Sequence, residues 1–66
     1  MNILVNGEAL NLVGESTLGG LLDQLSVLDQ RLAVEVNREI IPRSQHAEFK
    51  LNENDRVEII QAVGGG

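Results

Sequence analysis

The chain has no cysteine, tryptophan or tyrosine, and only one phenylalanine and one proline in 66 residues. Without cysteine there is no disulfide, no thiolate metal site and no cysteine nucleophile. With Phe49 the only aromatic, Leu, Ile and Val must build the core. Basic charge is scarce as well: five Lys and Arg stand against ten Asp and Glu, for a formal net charge of −5. Nucleic-acid binding asks for the opposite sign, clustered on one face, so no nucleic-acid partner is expected. No apolar run approaches the roughly 18 residues of a membrane span. The start, MNILVNGE, lacks the basic segment and apolar stretch of a secretory signal. A cytoplasmic protein with no membrane partner is expected. The acidic excess reads as a solubility device or as steering toward a basic protein partner, and charge alone does not choose.

Sixty-six residues make one domain, which buries only about 60% of the surface its unfolded chain exposes. Such a core supplies roughly 3–5 kcal/mol. A ligand pocket of about 300–1,000 Å³ has little room inside it, which argues against a self-contained enzyme.

What is present is a clear alternation of periods. Asn6-Gly7 lies between two apolar runs and favours a type I′ hairpin turn, with strands over about 2–6 and 8–13. Ile3 and Val5 share one face of the first strand, and Leu10 and Leu12 point inward from the second. Leu18, Leu21, Leu22, Leu25 and Leu28 then recur at spacings of three and four, one helical stripe. Ser16 or Thr17 caps it. Gly19 and Gly20 weaken its first turn by roughly 1 kcal/mol each relative to Ala, and they read as tolerated, without a packing purpose.

From Leu32 the period returns to two: Leu32, Val34 and Val36 face inward, Ala33 and Glu35 outward. Asn37-Arg38-Glu39 turns the chain into Ile40-Ile41-Pro42, where Pro42 marks an edge or a strand end. Phe49 and Leu51 are pinned to the core, residues 52–55 form a turn, and residues 56–63 form the last strand. Two hairpin strands, a helix and two or three further strands fit one amphipathic helix across one face of a mixed sheet. The expected fold is α+β, a β-grasp with four to five strands over residues 1–63, the last strand central and residues 64–66 a flexible glycine tail.

Catalytic motifs are sparse. His46 stands alone, whereas metal sites need several ligands, so it reads as a surface or loop histidine. Gly14 to Gly20 lacks the lysine that gives a phosphate loop its chemistry. The carboxylate pairs Glu53/Asp55 and Glu35/Glu39 read as solvated surface charge. With Val57 and Ile59 facing the helix, Glu58, Ile60 and Ala62 face away. Together with Leu4 and Ala33 they make a small patch on the bare side of the sheet, which reads as ordinary scattered exposure or as a docking site.

The glycines Gly64, Gly65 and Gly66 follow the strongest apolar run. They read as a frayed end, a linker or a remnant of a longer chain. In a functional reading the carboxylate itself reacts: a tail without Cβ atoms enters a narrow channel in a partner enzyme, reaching roughly 10 Å at about 3.3–3.6 Å per residue. That carboxylate is ionised at neutral pH and able to attack an activated phosphate.

The strand and helix order running into Gly-Gly resembles the ubiquitin-like carrier proteins. Within them, NGE at 6–8, VNREIIPRSQ at 36–45 and DRVEIIQAVGGG at 55–66 resemble the ThiS family, the sulfur carriers of thiamine biosynthesis, over essentially the whole chain. The resemblance implies that Gly66 is adenylated by an E1-like activating enzyme that consumes ATP, and that a sulfur-donating enzyme then leaves a thiocarboxylate there. It also implies that thiazole synthase takes this sulfur for the thiazole ring. It implies a co-substrate with no bound cofactor or metal, a monomer when free, catalysing nothing by itself. Gly65 and Gly66 fall on the tail motif, and Gly64 has a permissive role. Leu4 and Ile60 fall on the outer-face patch by which ubiquitin-like proteins meet partners, and Ala62 and Val63 join them as partner-binding candidates. Ile41-Pro42-Arg43 reads as structural. The alternatives are the sulfur-carrying small subunit of molybdopterin synthase, which is typically longer and lacks the 36–45 pattern, a lysine-linked protein modifier, and a β-grasp interaction module with an inert tail.

Overall fold

The computed structural model describes residues 1–27 and 32–61. Leu28, Ala62, Val63 and the three terminal glycines lie outside the described residues. The elements are β1 (Asn2–Val5), β2 (Glu8–Asn11), α1 (Leu18–Gln24), β3 (Leu32–Val36), β4 (Glu39–Ile41), a 3-10 turn (Arg43–Gln45) and β5 (Arg56–Gln61). The strands form one mixed sheet in the order β2-β1-β5-β3-β4. β5 runs parallel to β1 and antiparallel to β3, and both outer pairs are antiparallel hairpins. This is the β-grasp arrangement, with the last strand central as the Val/Ile pattern of residues 57–60 predicts.

The hairpin turns follow local chemistry. Asn6 and Gly7 have φ of +50° and +84°, and Asn37 and Arg38 have φ of +51° and +71°. Two successive positive φ angles are the type I′ signature, whose twist matches the flanking strands. Asn adopts this region at little cost; Arg38 does so against its Cβ. Pro42 directly follows β4, an edge strand, so its missing N–H costs the sheet nothing.

Of the two expected caps, Thr17 is the one used: its Oγ1 accepts from the Gly20 N–H at 3.0 Å. The leucine stripe outlasts the helix. Ser26 takes φ +56°, its N–H donates to Asp23 O at 3.0 Å, and Val27 N–H donates to Leu22 O at 3.0 Å. That pair of bonds is a Schellman termination, so Leu25 packs on the core from the cap and not from a further turn.

The core lies between α1 and the inner sheet face. Leu18 and Leu21 from the helix meet Ile3, Val34 and Val57, all essentially without solvent contact. Leu12, Val36, Ile41 and Leu51 close its sides.

The structure departs from the sequence-based expectation at Gly19 and Gly20, at His46 and at Asp55. Gly19 and Gly20 are required, not merely tolerated. A Cβ on Gly19 would sit 2.8 Å from Ala47 O, and one on Gly20 2.5 Å from Glu15 O. The close neighbour of Gly19 is the irregular segment before Phe49, which has no periodicity to betray it. His46 is buried, not at the surface: its Nε2 lies 2.9 Å from Ile41 O. A carbonyl only accepts, so Nε2 carries the hydrogen. Asp55 is buried too. Its two oxygens accept from Asn37 Nδ2 at 3.0 Å and Asn52 N at 2.8 Å, so it is a structural acceptor and not solvated surface charge.

Candidate docking face and carrier terminus

β5 is the strand that leads to the tail, and it is held from both sides. Val57 is buried, Ile59 packs partly against the core, and Arg56, Glu58 and Ile60 face away from the helix. The register sets their neighbours on that bare face. Leu4 stands beside Arg56, Ala33 beside Ile60, and Glu35 between Glu58 and Ile40.

Leu4 and Ile60 therefore share a face without touching as neighbours. Ile60 lies four residues beyond Arg56 along β5, about 13 Å at strand rise, with Glu58 between. Leu4 is half-buried beside Ala9, whereas Ile60 is 52% exposed and flanked by Ala33. Ala62 and Val63 of the same group lie outside the described residues.

Ile40 was missed. It is 72% exposed, the most exposed of the large apolar side chains described, and sits on the same face across Glu35. Strand alternation held the signal: of the adjacent Ile40 and Ile41 only one can face the core, and Ile41 takes that place. The bare face thus carries two exposed isoleucines around the cross-strand pair Glu35 and Glu58. Like charges directly opposite are unfavourable in a sheet.

Among the described residues no group of three or more His, Asp or Glu side chains converges to hold a metal ion. No described helix is long and apolar enough to cross a membrane. Two asparagine side chains serve the backbone of β5: Asn6 Oδ1 accepts from Ile59 N–H at 2.8 Å, and Asn37 Oδ1 from Arg56 N–H at 3.0 Å.

Comparison with known proteins agrees with this architecture. A thiazole synthase of Paramagnetospirillum magneticum is 39% identical over 66 residues, all of this chain but only 20% of that protein. The chain thus spans about one fifth of the length of such relatives. The sulfur carrier protein ThiS of Escherichia coli is 32% identical with full coverage of both chains. A crystal structure of the thiamine biosynthesis protein ThiS from Geobacter metallireducens superposes with a TM-score of 0.81 at 30% identity, again over the whole of both chains. Residues 3–66 match the ThiS family, and with the β-grasp sheet and central β5 already established, the chain belongs to that family.

Proposed function

We propose that the protein is a sulfur carrier of thiamine biosynthesis whose working group is the carboxylate of Gly66. The observation that carries this reading is the family match, which runs through Gly66 itself. A carboxylate oxygen of Gly66 attacks the α-phosphorus of ATP in a partner activating enzyme and expels pyrophosphate. Sulfide supplied by a donor enzyme then attacks the acyl carbon and displaces AMP, with loss of a proton, and the resulting thiocarboxylate passes its sulfur to the enzyme that forms the thiazole ring. Adenylation turns a poor acyl leaving group into a good one. It also lets a protein without cysteine carry sulfur.

The chain acts as co-substrate, and ATP is bound and consumed by the partner. Thiazole synthase as acceptor is supported by relatives of that name that contain a stretch aligning with this whole chain. Gly65 and Gly64 offer no Cβ to a narrow partner channel. Ile60 and Leu4, with Ala62 and Val63, form the docking side.

Intact mass before and after incubation with ATP, an activating enzyme and a sulfur source tests this. The expected result is the gain of one sulfur in place of one oxygen, localised to Gly66 and lost when Gly66 is deleted. An unchanged mass with an enzyme active on its own carrier overturns the reading. Sulfur transfer to a pterin-binding subunit in place of a thiazole synthase would move the chain to molybdopterin synthesis.

A further inference from the structure

The two hairpin turns do more than reverse the chain. Each begins with an asparagine at positive φ, Asn6 and Asn37. Each of these side chains reaches sideways to a backbone N–H of β5, Asn37 to Arg56 at its start and Asn6 to Ile59 near its end. β5 is thus clamped from opposite sides at opposite ends.

The Asn6 clamp has a particular place in the fold. The parallel register of β1 and β5 covers only Leu4 with Arg56 and Val5 with Val57. At that point β1 turns away, while β5 continues to Gln61. Asn6 bridges the step twice: its own N–H donates to Val57 O at 2.9 Å, and its Oδ1 accepts from Ile59 N–H at 2.8 Å. A side chain thereby supplies the rung that the shorter strand cannot. Gly, Asn and Asp all satisfy the turn at this position, but Gly has no acceptor to offer β5.

We infer that Asn6 is a positioning residue for the tail chemistry: by fixing Ile59 it steadies the end of β5 that precedes the reacting terminus in the chain. This rests on the proposed adenylation of Gly66. Acyl transfer is sensitive to placement of the reacting group, so a β5 end held on the β3 side alone, through Ala33 with Ile60 and Leu32 with Gln61, lowers the rate of the chemical step while leaving the docking face around Ile60 and Ile40 intact.

The test compares Asn6→Gly, which keeps the turn and removes the acceptor, with Asn6→Asp, which keeps both. Two quantities are read in the full chain: hydrogen exchange at the Ile59 amide, and kcat and KM for ATP-dependent adenylation by the activating enzyme. In Asn6→Gly, Ile59 exchange rises and kcat falls, each on the order of three- to tenfold, the factor one net hydrogen bond is worth. KM stays within about twofold, and Asn6→Asp restores both. A purely structural role would leave kcat unchanged once the protein is folded. Faster Ile59 exchange with an unchanged kcat overturns the inference and leaves the tail reading standing, as does a failure of Asn6→Asp to rescue. If the unsubstituted chain is not adenylated at all, the tail reading fails and takes the inference with it.

Discussion

Asn37 and Asp55 are joined across the sheet end, Asn37 Nδ2 donating to Asp55 Oδ1 at 3.0 Å. The same asparagine accepts from Arg56 N–H, and the same aspartate accepts from Asn52 N–H. The β3–β4 turn and the turn before β5 are thereby locked into one unit. Asp55→Ala removes the acceptor from two donors and is expected to cost about 2 kcal/mol, read as a lower urea midpoint with an unchanged slope. A midpoint equal to the parent's would mean that solvent replaces both bonds freely.

Gly19→Ala tests the contact between α1 and the segment before Phe49. Helix propensity favours Ala by about 1 kcal/mol, but a Cβ 2.8 Å from a backbone oxygen forces a shift costing about 1–3 kcal/mol. The variant should be the less stable one in thermal unfolding. A raised melting temperature would show that the Ala47 backbone yields easily.

Ser26→Gly should act in the opposite direction. Ser26 is exposed at the Schellman position with φ +56°, where Gly avoids the Cβ strain. A gain of about 0.5–1 kcal/mol is expected, seen as a higher urea midpoint with adenylation unaffected. A loss of stability would mean that the serine side chain holds something at that corner.

Leu21→Ala and Ile60→Ala separate folding from docking. Leu21 has no exposure, and its truncation should cost about 2–5 kcal/mol, comparable to the whole stability of roughly 3–5 kcal/mol that a core of this size supplies. Ile60 is 52% exposed, so Ile60→Ala should change stability by only about 0.5 kcal/mol. It should weaken binding of the activating enzyme, measured by titration calorimetry. Unaltered affinity in Ile60→Ala would move the docking side elsewhere.

Wherever period and turn chemistry are local, the sequence was enough. The Asn6-Gly7 turn follows from its residue types, and the leucine stripe at Leu18 and Leu21 and the alternation of residues 32–36 follow from spacing, because side-chain direction repeats every 2 or 3.6 residues; the central placement of residues 56–61 was signalled by their Val/Ile content. The family resemblance on residues 36–45 and 55–66 was legible for the same reason: it lies in the chain itself. Only the tertiary structure decided what distant segments do to one another. That Gly19 must be bare is set by Ala47, that Asp55 is an anchor by Asn37, and that Ile59 is held by Asn6, 53 residues away along the chain. It also split Leu4 from Ile60, because the register of a parallel pair depends on where β1 stops and on no property of either residue. Periodicity assigns each residue a face; which partner it meets there is fixed only when the strands are laid side by side.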